Sequence, residues 1–386
     1  MSAQTPPPAQ PRFADHPVLL FWETTRACLL ACRHCRASAQ PDPLPGQLDR
    51  AEGIDLLFQA AEFAPHPPVV VFTGGDVLLR PDLEELLAVA HSLRLVTAVS
   101  PSATDRLNER TLDRLAALGV HGLSVSIDAG PEGHDRLRGV EGTHARSVTA
   151  LRAALARGLV VQVNTVVMRS TVADLPHVAA TLVGAGVRVW EVFFLVATGR
   201  ALASEYLTPA EVLDVCAFLV ESTRYGIELR TVEAPFIRRV FEGMREGTLV
   251  LGPLYDRLTA DLRDRLGPPR RPPHLARAGT LDGDGILFVA HDGTVHPGGL
   301  LPLPLGNVRS DRLVDVYRTH PVLQAIRARA FHGPCGECPA RFTCGGSRAR
   351  AYAATGDPLG TDPLCPWAAA AQDTAVAAAA PASPAG

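Results

Sequence analysis

Between residues 18 and 225 the chain alternates six short apolar runs with six segments of helical periodicity, and this alternation constrains its fold more than any other feature. The apolar runs are 18–22, 69–72, 95–100, 122–128, 160–167 and 189–196. The helical segments between and after them are 48–63, 81–93, 105–118, 143–157, 172–185 and 208–225. In the first of these, Ile54, Leu57, Phe58 and Ala61 recur at helical spacing. The apolar runs are continuous rather than alternating, as expected of strands covered on both faces in a parallel sheet. The expected fold class is therefore α/β, a partial (β/α)6 TIM-like barrel with its chemistry at the C-terminal ends of the strands. Residues 28–35, 74–76, Asp128 and Thr198 all fall at such ends.

The eight cysteines form two groups, with Cys216 alone. Cys28, Cys32 and Cys35 stand at C-x3-C-x2-C spacing directly after the first strand. Thiolates bind soft metals, but a structural zinc site usually has four protein ligands. Three cysteines in one loop can hold three irons of a [4Fe–4S] cluster and leave the fourth open to a small molecule, the alternative being a zinc or redox loop. The second group, Cys335, Cys338 and Cys344 at C-x2-C-x5-C with Cys365 about 20 residues on, has the four ligands of a closed site. Zinc is the simpler occupant there. The first ten residues lack a basic-then-apolar export signal, so metal is expected in both groups rather than disulfides, with a cytoplasmic location.

A three-cysteine loop after an N-terminal strand resembles the radical S-adenosylmethionine (radical SAM) family. That resemblance implies that Cys28, Cys32 and Cys35 are catalytic and hold a [4Fe–4S] cluster whose open iron chelates SAM. Reductive cleavage of SAM then yields a 5′-deoxyadenosyl radical that abstracts a substrate hydrogen. Thr73-Gly74-Gly75-Asp76 resembles the family's Gly-Gly-Glu motif, so Gly74, Gly75 and Asp76 would receive the SAM amino group, although an ordinary strand–helix turn has the same composition. By the same resemblance Ser126 and Arg138 would lie near the SAM ribose or carboxylate. Asn164 would be a SAM contact or a satisfied core amide, and Leu195, with Phe193, Phe194 and Val196, would flank the adenine. The segment from Cys344 through Tyr352, with Gly356, Asp357, Asp362 and Cys365, resembles the SPASM extension, which carries auxiliary [4Fe–4S] clusters. Full SPASM domains hold two. Gly298 stands where an upstream cysteine is often found, so one auxiliary [4Fe–4S] cluster on Cys335, Cys338, Cys344 and Cys365 is implied.

The run Cys-Gly-Gly-Ser-Arg-Ala-Arg-Ala looks most like the branch acting on haem precursors, which implies a small-molecule tetrapyrrole substrate. A ribosomally made peptide is the alternative substrate, and a non-catalytic iron–sulfur or zinc protein the alternative class. A reductase such as a flavodoxin or ferredoxin is the implied partner. Arg200, Arg270, Arg271, Arg348 and Arg350 are candidates to pair substrate propionates. The chain contains no lysine, which excludes pyridoxal phosphate enzymes, lysine aldolases and Walker-type P-loops. A net charge of −3 gives no reason to expect nucleic acid, and no apolar window is long enough for a membrane helix.

The expected domains are a disordered tail at 1–14, the radical SAM core at 15–248, a Pro- and Arg-rich linker at 249–280, a SPASM-like domain at 281–367 and a low-complexity tail at 368–386. Residues 286–296 are expected to form a hairpin with His291 and His296 on its surface, the alternative being that these histidines approach a substrate. Cys216 reads as a packed core thiol, and His34 as a shield beside the cluster.

Overall fold

The computed structural model describes residues 13–276 and 279–369. The Pro- and Gln-rich start of the chain and the Ala/Pro tail from residue 370 lie outside the described residues.

Strands β1 (Leu19–Glu23), β2 (Val69–Thr73), β3 (Thr97–Val99), β4 (Gly122–Ser126), β5 (Val160–Val167) and β6 (Val189–Phe194) lie side by side in chain order, all parallel. The connecting helices are α1 (Arg50–Ala61), α2 (Leu83–Ser92), α3 (Glu109–Ala117), α4 (Pro131–Arg138), α5 (Thr143–Ala156) and α6 (Leu175–Ala185). Strand β7 (Glu228–Arg230) extends the sheet past β6, and α7 (Pro209–Ser222) and α8 (Ile237–Glu246) flank it in sequence. The path of strands ends in two edges, so the barrel is partial. Its outer face buries Leu20, Trp22, Val70, Phe72, Val163 and Val192 under the helices. Along β5 the buried residues Val161, Val163, Thr165 and Val167 alternate with Gln162, Asn164 and Val166 on the inner face. Polar groups in that strand therefore mark the interior rather than a sheet edge.

Three elements differ from expectation. The loop after β4 contains α4, which opens with Pro131 in its first turn and closes on left-handed Gly139, the usual start and stop signals of a helix. The stretch expected to be a linker contains α9 (Pro253–Leu266), whose Leu254, Leu258 and Leu262 are buried against the layer of α6 and α7. Those leucines recur every four residues, a helical period that the surrounding Pro and Arg content obscured. The hairpin of β9 (Gly285–Val289) and β10 (Thr294–His296), which follows the two-residue β8 (Leu281–Asp282), does not form a sheet of its own. Strand β9 pairs parallel with β1, Leu19 opposite Ile286 through Trp22 opposite Val289. The pairing covers an edge that β1 would otherwise expose.

Candidate cofactor and cysteine sites

Immediately past β1 the chain makes a closed excursion. Cys28 N–H donates to Gln40 O at 2.8 Å and Gln40 N–H to Arg26 O at 3.2 Å, so residues 28–39 leave and return through one neck. Three neighbours hold this loop in place. Ala31 and Arg33 N–H groups donate to Arg138 O and Leu137 O at the end of α4. Arg200, after β6, donates from Nε to Cys32 O (2.9 Å) and from Nη1 to Ala39 O (2.9 Å). A side chain at Gly199 would start 2.3 Å from the carbonyls of Cys35 and Arg36, so only glycine permits this contact.

Within the loop Cys28 and Cys32 are buried and Cys35 half-buried. Each sulfur has a donor. Leu30 N–H reaches Cys28 Sγ (3.4 Å), Ala39 N–H reaches Cys35 Sγ (3.4 Å), and Arg138 Nη1 reaches Cys32 Sγ (3.7 Å). Burial pushes the Cys28 thiol up from its ordinary value. Donors aimed at sulfur are what an iron–sulfur centre uses to offset thiolate charge, and three thiols in one pinned loop fit such a centre.

The Gly74–Asp76 turn supports the same loop. Gly75 N–H donates to Thr25 O and Asp76 N–H to Ala27 O, both at 2.7 Å. A side chain at Gly75 would start 2.3 Å from Ala27 O. The Asp76 carboxylate, expected to meet the SAM amino group, is buried against its own turn. Oδ1 accepts from Leu78 N–H (3.2 Å) and Ser102 N–H (3.3 Å), and Oδ2 from Thr104 Oγ1 (3.0 Å). A side chain one methylene shorter than Glu stays within reach of these local donors. Gly75→Ala is expected to push the cysteine loop outward and lower the iron retained after reconstitution several-fold, measured as iron per chain, with the far-ultraviolet spectrum unchanged.

Arg138 links the Asp128 carboxylate to the cysteine loop. Its Nε (2.9 Å) and Nη2 both donate to the buried Asp128 carboxylate while Nη1 reaches Cys32. Burial opposes the Asp128 charge, but Arg138, His34, His134 and the Val166 N–H outweigh it and hold the carboxyl at about 2. His34 is half-buried, and desolvation lowers it to about 4, so a neutral ring packs within the loop.

Ser126, Asn164 and Glu191 occupy one register row of β4, β5 and β6. Asn164 Oδ1 accepts from Gln162 Nε2 at 2.8 Å. Leu195 packs with Leu137 and Met168 just beyond the strand end. Glu191 was not anticipated, although an acid inside Val-Trp-Glu-Val-Phe-Phe was a visible signal. Its Oε1 is buried without a partner, and burial raises the carboxyl to about 7. The folded state thus keeps a proton that the unfolded state loses near 4.5, and stability falls as pH rises through that window. Glu191→Gln should remove a penalty on the order of 3 kcal/mol at pH 8 and little at pH 4. Urea midpoints of both proteins at the two pH values test this.

In the second cysteine group Cys335 is buried and Cys338, Cys344 and Cys365 are half-buried. Arg348 Nη2 lies 3.8 Å from Cys335 Sγ, and Gly346 N–H donates to Cys344 Sγ at 3.4 Å. Burial pushes the Cys344 thiol up to about 12. Arg348 and Arg350, nominated for propionates, are 1 % exposed and occupied internally. Arg348 donates to the carbonyls of Pro358 and Gly360, and Arg350 pairs with Asp362 and reaches Glu233 O. Arg200 braces the first loop, and Arg270 and Arg271 lie exposed beside Arg224. A side chain at Gly298 would coincide with Asp282, which fills that space. Cys216 is fully buried in α7, as a core thiol should be. His291, expected on the surface, is 7 % exposed, with Nδ1 at 3.3 Å from Glu23 Oε1. Among the described residues no three Cys, His, Asp or Glu side chains close around a single ion, and no helix is long and apolar enough to cross a membrane.

The family model of the radical SAM superfamily matches residues 22–182. The AdoMet-dependent heme synthase of Oleidesulfovibrio alaskensis is 33 % identical over 90 % of this chain and 87 % of its own length. The PqqA peptide cyclase of Gluconobacter oxydans is 29 % identical over 90 % of both chains. Among solved structures, native anSMEcpe with bound AdoMet superposes with a TM-score of 0.65 at 16 % identity, covering 93 % of this chain and 98 % of that one, and so shares the partial-barrel fold. The chain belongs to the radical SAM superfamily, enzymes whose cofactors are SAM and a [4Fe–4S] cluster.

Proposed function

We propose that this enzyme is an oxidoreductase acting on a carboxylate-bearing side chain of a haem-precursor tetrapyrrole. The observation that carries the substrate reading is the near-full-length likeness to an AdoMet-dependent heme synthase. Cys28, Cys32 and Cys35 hold the catalytic cluster, and Gly74, Gly75, Ser126, Asn164 and Leu195 line the space for SAM, with Asp76 and Arg138 acting as braces. Bound SAM supplies a 5′-deoxyadenosyl radical that removes a substrate hydrogen atom.

The residues of this chain do the rest. The pinned loop keeps the cysteines in register, and the layer of Leu137, Met168 and Leu195 keeps water from the mouth. If a propionate loses a hydrogen atom from the carbon beside its CH2–COO− unit and then releases CO2, one electron must leave as the vinyl group forms. Cys335, Cys338, Cys344 and Cys365 would hold one auxiliary [4Fe–4S] cluster, which, fully ligated by cysteine, would supply an electron-transfer centre rather than a substrate-binding one. The domain division is a radical SAM core at 15–248, a connecting segment at 249–280 and a SPASM-like unit at 281–367. A flavodoxin- or ferredoxin-type reductase in the cytoplasm supplies the first electron.

The test is anaerobic reconstitution with iron and sulfide, then dithionite, SAM and an iron tetrapyrrole bearing propionates. Deoxyadenosine and mass loss from the tetrapyrrole are followed together. Deoxyadenosine with an unaltered tetrapyrrole would discard this substrate. Peptide maturation is the second reading, favoured by the likeness to a peptide cyclase.

A further inference from the structure

Between the first cysteine loop and the β9–β10 hairpin lies a cavity of about 160 Å³. We infer that it is a carboxylate-arm subsite, in which Arg26 and Arg36 pair with one propionate of a tetrapyrrole whose macrocycle stays outside. The inference rests on the tetrapyrrole reading above.

The charges on the wall are unbalanced in favour of an anion. Arg26 Nε stands 3.1 Å from Glu23 Oε1 and Arg36 Nη2 stands 3.0 Å from Glu23 Oε2, so two guanidiniums share one carboxylate. Glu23 is fully buried, whereas the Arg26 and Arg36 side chains are 33 % and 24 % exposed, so solvent still reaches the cations. A second carboxylate entering from the open side would bring the wall to neutrality and meet charge-assisted donors. His296, also on the wall, has a buried Nδ1 with no partner, and buried polar atoms are normally satisfied.

The shape agrees with an arm rather than a ring system. The cavity is smaller than the 300–1,000 Å³ usual for whole small-molecule ligands. Phe288 forms its apolar side and holds the Arg36 guanidinium 4.7 Å from its ring centroid. A side chain at Gly299 would start 3.2 Å from that ring and 3.7 Å from Arg36 Cδ, so glycine keeps the space open. Arg36 lies within the cysteine loop, directly after Cys35, so an arm held here anchors the substrate one residue from a cluster cysteine. Of the arginines nominated from sequence, Arg200, Arg348 and Arg350 are engaged inside the protein and Arg270 and Arg271 lie exposed away from this cavity, whereas Arg26 and Arg36 line it.

The test uses the cluster-loaded full chain titrated with zinc coproporphyrin, followed by porphyrin fluorescence, beside its tetramethyl ester. The wild type is expected to bind the acid at least tenfold more tightly than the ester. Arg26→Gln and Arg36→Gln should each weaken the acid by about tenfold or more and leave the ester unchanged. Arg26 is the more exposed of the two, so its variant guards against misfolding of the other. Acid binding that is tight but indifferent to both substitutions, or equal to that of the ester, overturns the subsite while leaving the tetrapyrrole reading intact. Binding of neither form by the wild type overturns both.

Discussion

Protein carrying Cys28→Ala, Cys32→Ala and Cys35→Ala together is expected to release no 5′-deoxyadenosine under conditions in which the wild type does. The same variant should keep roughly half of the reconstituted iron, because a second four-iron site on the other cysteine group is untouched. The reason is geometric. All three thiols belong to one excursion closed at the Cys28–Gln40 neck, and no other cysteine is near enough in sequence to substitute. The reciprocal variant, Cys335→Ala with Cys338→Ala, should lose the other half of the iron and still cleave SAM. Deoxyadenosine by chromatography and iron per chain separate the two. A triple variant that retains all its iron would show that the loop is not a cluster site. A reciprocal variant that loses none would leave the auxiliary centre without ligands.

The second large effect is on stability. Arg350→Met should destabilise the fold by about 3–5 kcal/mol, read from the urea midpoint of unfolding. Arg350 and Asp362 are both fully buried, with Arg350 Nη2 at 2.7 Å and Nε at 2.9 Å from the two carboxylate oxygens. Arg350 also reaches Glu233 O, while the Glu233 carboxylate accepts from Ser347 Oγ. Removing the cation leaves Asp362 and Glu233 buried without their positive partner, and a stranded charge costs more than the pair contributes. The double variant Arg350→Met/Asp362→Leu should therefore be milder than Arg350→Met alone, and a double-mutant cycle measures the difference. Equal midpoints for wild type and Arg350→Met would show that water reaches the site and screens it. Glu233 follows β7, whereas Arg350 and Asp362 belong to the second cysteine region. The same cluster therefore ties that region to the barrel.

Residue order alone determined the elements of the barrel and the two cysteine groups. Strand β5 spans the residues expected of it, and the other five central strands and their helices lie within a few positions of expectation. The physical reason is that a parallel strand buried on both faces must be a short continuous apolar run and its helix a 3.6-periodic one. Both signals are local. Cysteine spacing is equally local, because one loop must present three sulfurs to one centre.

Tertiary structure decided what each polar side chain faces. The Asp76 carboxylate accepts from Leu78, Ser102 and Thr104, and Arg348 and Arg350 are engaged inside. Arg36 meets Phe288 and Gly299 only because β9 adds to the free edge of β1. Those pairings join residues more than 200 positions apart. No periodicity reports them, because they arise when an edge strand finds a partner and a cation finds the counter-charge the fold brings to it.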